Sequence, residues 1–170
     1  MKKSCFLPVT ILLLAVILTG CRMTVSLTGG NINPLAKTVY VASFVNNASL
    51  VNPSLSQDFT NALKSKIQSQ TPLTVIDTEG DYSFQGEITN YYIAPTAIQG
   101  NDVAAMNRLS ITIKVTFTNK FDETDNFEQS FTRYVDYRSD MNFTAIENTL
   151  VGEINEALTD DIYNKAFVNW

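Results

Sequence analysis

The sequence predicts an α+β fold. It is a two-layer sandwich in which a mostly antiparallel or mixed sheet of four or five strands carries two helices on one face, in the order β-α-β-β-β-β-α. Three observations predict it. Residues 109–117 alternate without a break, with Leu109, Ile111, Ile113, Val115 and Phe117 on one face and Ser110, Thr112, Lys114 and Thr116 on the other. Leu55, Phe59, Leu63 and Ile67 recur at spacing four, and so do Ile146, Leu150, Ile154, Leu158 and Ile162. No internal repeat, change of composition or linker interrupts residues 38–170, so they form one domain.

Each element has its own signal. Residues 38–44 (TVYVASF) alternate and are rich in β-branched and aromatic side chains, which suits a first strand. Asn52-Pro53 marks a helix start, with Ser54 and Gln57 at capping-box spacing, and the helix ends near Gln70, ahead of Thr71-Pro72. Leu73 to Ile76 is a short strand closed by a Glu79-Gly80-Asp81 turn. The strand-helix-strand passage has the form of a parallel crossover. Tyr82 to Ile93 alternates around Phe84, Gly86, Ile88 and Tyr92, and Phe127 to Tyr137 around Phe127, Phe131 and Val135. The acidic stretch Asn119 to Asn126 turns between the last two strands. A final helix runs from Phe143 to Phe167, with Thr144 and Glu147 at capping-box spacing.

The beginning of the chain reads differently. Lys2 and Lys3 precede an apolar run from Phe6 to Leu18, and Leu18-Thr19-Gly20 leads directly into Cys21. A run of 13 residues is shorter than the roughly 20 that a bilayer core requires. The LTGC tetrapeptide is the expected substrate for lipidation: residues 1–20 form a lipoprotein signal peptide and Cys21 becomes the lipid-bearing N-terminus. Residues 21–37, rich in Thr, Gly and Asn, are expected to tether the lipid to the domain at 38–170. Cys5 leaves with the signal and Cys21 is consumed by lipid, so no thiol remains for a disulfide and stability rests on a packed core.

Charge and residue types exclude several function classes. Without Lys2 and Lys3, 10 basic residues face 17 acidic ones, a balance near −7 that is poor for nucleic-acid binding. There is no histidine, the commonest general base and metal ligand. No G-x-S-x-G elbow, phosphate-cradling glycine loop or dinucleotide fingerprint is present. Asp122, Glu123 and Asp125 have the oxygen chemistry of a Ca²⁺ site but lack its central glycine and regular ligand spacing, so they read as a solvated turn. The chain is expected to be neither an enzyme nor dependent on a cofactor or metal, apart from the covalent lipid on Cys21.

Three features are candidates for contact. The face opposite the helices presents Ser110, Thr112, Lys114 and Thr116 beside Glu128, Ser130, Thr132 and Tyr134. That face is either an ordinary solvated sheet surface or a surface matched to a polar partner such as the hydrated interior of a barrel. The Ala94–Asn107 connection is far longer than a hairpin needs, and Ile98 within it is either a contact or part of a loop without a role. Arg133 shares phase with Phe131 and Val135, so it either snorkels past the sheet edge, is turned outward by a bulge, or pairs with a carboxylate such as Glu87. Arg133, Lys114 and Arg138 also have the chemistry to meet a ligand phosphate.

With these segments in place, the chain resembles the LptE family of LPS-assembly lipoproteins, in its shorter and more divergent branch. Residues 50–69, 80–87 (GDYSFQGE), 107–119 (NRLSITIKVTFTN), 127–136 (FEQSFTRYVD) and 161–170 (DIYNKAFVNW) carry the resemblance. It implies an outer-membrane lipoprotein seated inside an LptD-type β-barrel, where it helps the barrel assemble, plugs the lumen and assists LPS delivery. The implied fold is a small sheet with two helices on one side. No motif places the family's basic LPS contacts here; Lys114 and Arg133 are the candidates, with Ile98, Thr112 and Thr132 as further partner contacts. Arg22, with no acidic run behind it, favours the periplasmic side of the outer membrane. The alternatives are a lipid-anchored periplasmic binding or scaffold module for another envelope-assembly machine, and a hydrolase using paired carboxylates.

The mature protein should carry a diacylglyceryl thioether on Cys21 in intact-mass analysis, and Cys21→Ser should move it from the membrane to the soluble fraction.

Overall fold

The structure, a computed structural model, describes residues 32–50, 52–96 and 105–168. The signal segment, Cys21 and Ile98 lie outside the described residues. Strand β1 spans Thr38–Val41, β2 Val45–Asn46, β3 Thr74–Ile76, β4 Tyr82–Pro95, β5 Met106–Asn119 and β6 Phe127–Arg138. Helix α1 spans Leu55–Gln70 and α2 Phe143–Tyr163. The sheet order is β3-β1-β4-β5-β6, with β2 also beside β4. β1 runs parallel to β3 and β4, while β4-β5 and β5-β6 are antiparallel, so the sheet is mixed. This is the α+β layout expected, with six strands where four or five were counted.

The alternation in β5 organises the core. Leu109, Ile111, Ile113, Val115 and Phe117 are all essentially inaccessible to solvent. Leu150, Ile154, Leu158 and Ile162 belong to α2, which lies over β5 and β6, and Phe59, Leu63 and Ile67 to α1, which packs beside it over β1, β2 and β3 and completes the same core. Burying side chains of this size contributes on the order of 1.5–3 kcal/mol each. The two helices run side by side in the same direction. The Asn52 amide just before α1 donates to Glu147 of α2 (2.8 Å), and the Tyr163 hydroxyl at the end of α2 donates to the Gln70 carbonyl at the end of α1 (3.3 Å).

The extra strand has a physical cause. The first strand, expected to run to Phe44, stops at Val41 and resumes as β2 because Phe44 turns toward α1. Its amide donates to the Thr60 hydroxyl (3.2 Å), its carbonyl accepts from the Ser56 hydroxyl, and its ring meets Phe59 edge-on at 4.9 Å. The ring also lies close to Gly86, where a Cβ would sit 2.7 Å from its Cε1. Gly80 plays a comparable part. The 77–81 connection links two strands on either side of β1, and a Cβ at Gly80 would come within 2.8 Å of the Tyr40 amide nitrogen.

Other expectations shift. Asn52 caps α1, its side-chain oxygen accepting from the amides of Ser54 and Leu55, while Ser54 makes no capping bond. Asn142 caps α2 by accepting from the Thr144 amide, which frees Glu147 from the expected capping box. α2 ends at Tyr163 and widens into a π-turn over Asn164–Val168. The extra residue of that turn brings Phe167, rather than Ala166, under the sheet. Phe167 is fully buried and sits 5.4–5.9 Å from the rings of Tyr82, Phe84, Phe117 and Tyr163. In β4 the register with β5 slips between Ile88 and Asn90, leaving Thr89 as a bulge. Beyond it the phase inverts: Tyr91 is buried and Tyr92, expected in the inward phase, points outward.

The packed body also begins earlier than Thr38. Ile32 packs against the core, Ala36 is buried, and the Asn33 amide donates to the Tyr82 hydroxyl at 2.9 Å. Asp81 clamps this segment: Oδ2 accepts from the amides of Lys37 (2.8 Å) and Thr38 (3.0 Å) and from the Thr38 hydroxyl (2.9 Å). The Lys37 amide bond, with help from Thr38, holds the Asp81 carboxyl below the usual carboxylate range. Stability from a depressed carboxyl is complete above its unfolded value and is lost as pH falls through the folded value. Asp81→Asn should therefore lower the unfolding midpoint at neutral pH, with the deficit closing as the pH drops below about 4, measured by circular dichroism melts across pH.

Candidate functional site: the open face of the sheet

With both helices on one side, the outward side chains of β4, β5 and β6 form an uncovered face. Register sets them in ranks. Gln85, Thr116 and Glu128 form one, Glu87, Lys114 and Ser130 the next, then Asn90, Thr112 and Thr132, then Tyr92, Ser110 and Tyr134, and last Ala94, Arg108 and Asp136. The Thr112 and Thr132 hydroxyls are hydrogen-bonded to each other at 2.9 Å in the middle rank. Among the sequence-derived candidates, this register brings Thr112, Thr132 and Lys114 together on one surface.

Arg133 is not on that surface. It projects from edge strand β6 toward the helix layer and forms a bidentate pair with Asp161 of α2, both contacts at 2.6 Å. The pairing with a carboxylate is as anticipated, but the partner is Asp161 rather than Glu87. Glu87 instead accepts from the Asn47 side chain at 2.5 Å. Arg133 therefore ties the free edge of the sheet to α2. Arg138, at the end of β6, pairs with Asp140 (2.5 Å).

Both cations of the open face are occupied. Lys114 contacts Glu128 at 2.6 Å, and Arg108 makes a bidentate pair with Asp136 at 2.7 and 2.8 Å. The hydrogen bond within each pair, and secondarily its Coulomb attraction, pushes Lys114 and Arg108 up and holds Glu128 and Asp136 below the usual carboxylate range. The Arg108 guanidinium also lies over the Tyr134 ring, 3.7 Å from its centroid. Tyr92 and Tyr134 are 55% and 53% exposed and flank Ser110. The result is a face of hydroxyls and amides, edged by neutralised ion pairs and carrying two tyrosines. Where β2 meets β4, Val45, Asn47, Gln85, Glu87, Lys114 and Thr116 line an open depression of about 340 Å³.

Sequence reasoning missed Tyr92 and Arg108 as members of this face. Tyr92 is there only because of the Thr89 bulge, and nothing in a Thr-Asn-Tyr-Tyr run distinguishes the two tyrosines. Arg108 lay one residue outside the strand expected from Leu109, although it continues that strand's outward phase.

Chemistry at other acidic clusters is local. Asp122 accepts from the Thr124 amide and hydroxyl, and Asp125 accepts from the Asn119 side chain, so these carboxylates shape the β5-β6 turn. Among the described residues, no three His, Cys, Asp or Glu side chains converge as metal ligands would, and no helix is long and apolar enough to cross a membrane.

A two-layer α+β domain that leaves one broad polar sheet face bare belongs to a class suited to surface-to-surface contact. The family model described as "LptE: Lipopolysaccharide-assembly" matches residues 36–166, and the chain belongs to that family. No curated protein sequence matches it. Among solved structures, it is similar to a minor lipoprotein of Acinetobacter baumannii, at 12% identity over 76% of this chain and 91% of that one, TM-score 0.50. It is also similar to the hypothetical protein CT253 of Chlamydia trachomatis, at 10% identity over 75% and 93% of the two chains, TM-score 0.50. A neuraminyllactose-binding hemagglutinin homologue of Helicobacter pylori aligns at 10% identity over 79% and 85%, TM-score 0.54. At these identities the likeness is one of fold.

Because half of the Arg133 side chain is exposed, solvent screens its pair with Asp161 and limits what the pair adds to stability. Arg133→Met should change unfolding free energy by less than about 1 kcal/mol in denaturant titration, so any loss of function at this position would report a lost contact.

Proposed function

We propose that the chain is a lipid-anchored outer-membrane protein, attached through Cys21 on the periplasmic side, that acts as assembly partner and plug of an LptD-type β-barrel in LPS transport. The open face carries the proposal. A barrel lumen is wet and lined by polar side chains, and a surface meeting it must stay hydrated yet keep its shape. The ranks of Ser, Thr, Asn and Gln on a three-stranded ladder have both properties. Their hydroxyls and amides exchange hydrogen bonds with water or with a facing strand at little desolvation cost.

The ion pairs favour protein contact over direct phosphate capture. For Lys114 to hold an LPS phosphate, Glu128 must first give way, and Arg133 is likewise held by Asp161. LPS contact by either residue is therefore secondary in this reading to the contact of Thr112 and Thr132 with the barrel wall.

Photo-crosslinkers at Thr112 and Thr132 should capture a large outer-membrane β-barrel in cells. Thr112→Trp, which adds bulk to an exposed rank, should abolish co-purification of that barrel in mild detergent while leaving the unfolding midpoint unchanged. Recovery of a clean monomer from the unaltered protein under several gentle extractions would sink the proposal.

A further inference from the structure

The chain enters its body at one pole of the sheet, and that pole holds out two apolar side chains. Leu35 is 72% exposed and Phe121 40%. Neither is loosely placed. Leu35 sits in a turn that Asn33 closes twice: its side-chain oxygen accepts from the Leu35 amide (2.9 Å) and its carbonyl from the Ala36 amide (2.9 Å). Phe121 is held in the same way by Asn119, whose side-chain oxygen accepts from the Phe121 amide (2.9 Å). The two turns are joined. Asn33 donates to the Tyr82 hydroxyl, Tyr82 is the register partner of Asn119, and Asp81 bonds Lys37 on one side and the Lys120 amide on the other.

We propose that this pole is a lipid-contact surface: in the free lipoprotein, Leu35 and Phe121 rest in the headgroup region of the bilayer that holds the Cys21 lipid. The proposal rests on the reading of Cys21 as lipidated. Ten residues, Arg22 to Asn31, separate that cysteine from Ile32, where the described chain begins at this pole. Even fully extended they reach no more than about 36 Å, so the pole stays close to the surface. Covalent attachment within that distance gives a local concentration on the order of millimolar, enough to make a weak two-residue contact count.

The chemistry selects the surface. Glu79, Asp122, Glu123 and Asp125 outnumber Lys37 and Lys120 here, and Lys120 is drawn toward Glu79 at 3.6 Å. Attraction to anionic headgroups is therefore not the source of the contact. Apolar insertion into a largely zwitterionic leaflet is. The contact sets the pose of the body. Strands of 14 residues, about 45 Å long, stand away from the membrane, and Met141 lies at the far pole, beside Pro95 at the end of β4 and Met106 at the start of β5.

Once Cys21 carries lipid, the mature chain has no other thiol, so a single introduced cysteine takes a label cleanly. Lipidated full-length protein carrying bimane at Lys120→Cys or at Met141→Cys is reconstituted in phosphatidylethanolamine-rich vesicles containing a headgroup-proximal nitroxide lipid. Quenching at position 120 should be at least twice that at position 141. Leu35→Asp with Phe121→Asp should bring the position 120 signal down to the position 141 level while the protein still floats with the vesicles. Equal quenching at the two positions in protein that floats overturns the pole contact and leaves the anchor intact. Failure to float, with residue 21 unmodified by mass, overturns the anchor and the proposal together. If the double variant melts early, the comparison of positions 120 and 141 in the unaltered pole decides alone.

Discussion

The whole molecule depends on one constraint, the uninterrupted alternation of β5. Five apolar side chains on one side of a central strand must leave water, and only a layer of helices on that side removes them. The same period places hydroxyls and ion pairs on the other side, where no helix is left to cover them. Core and open face are two results of a single pattern with a period of two residues. A slip of one residue in the β5 register would exchange them. The neighbouring strands hold the register. β4 contributes the Thr89 bulge and the inward turn to Tyr91, while β6 closes the edge with Arg133 on Asp161.

Helix placement depends on a small, partly buried junction. Glu147 accepts from the Asn52 side chain (2.8 Å) and from the Tyr91 hydroxyl (2.6 Å), so the start of α1, the start of α2 and the bulged half of β4 meet at one carboxylate. Burial, reinforced by that carboxylate, pushes the Tyr91 hydroxyl well above its usual range. It therefore stays a donor at any physiological pH. A polar junction at the margin of an apolar layer fixes geometry more than it adds stability. It locks the helix pair in one rotation over the sheet, and the pair in turn keeps the outward ranks flat and in line. Under the proposed barrel contact, a face ordered before the encounter loses less entropy on binding.

Much of this was legible in the sequence, because it follows from periodicity. The two helices, the long strands, the inward set of β5 and the outward Thr112–Thr132 pair all come from spacing alone. What stayed hidden depended on tertiary competition for a particular group. Glu147 has capping-box spacing, yet it is taken by Asn52 and Tyr91, and Asn142 caps instead. Phe44 has strand phase, yet Ser56 and Thr60 take its backbone and break the strand. Tyr92 has inward phase, yet a bulge with no sequence mark turns it out. The carboxylate partner of Arg133 lies 28 positions away on another element, a pairing that composition cannot choose. Cys21 and Ile98 were read from local motif and loop length and stand on that reading.

The placement of β1 has a mechanical consequence. β1 is an interior strand, bonded on one side to β3 and on the other to β4, with the Gly80 crossing laid against its backbone. It is also the strand that follows directly from the N-terminal segment clamped by Asp81. Any pull transmitted from the N-terminus runs along β1 and loads its parallel ladders in shear, with the bonds sharing the force instead of parting one after another. The N-terminal segment is thus coupled to the sheet through a strand bonded on both sides.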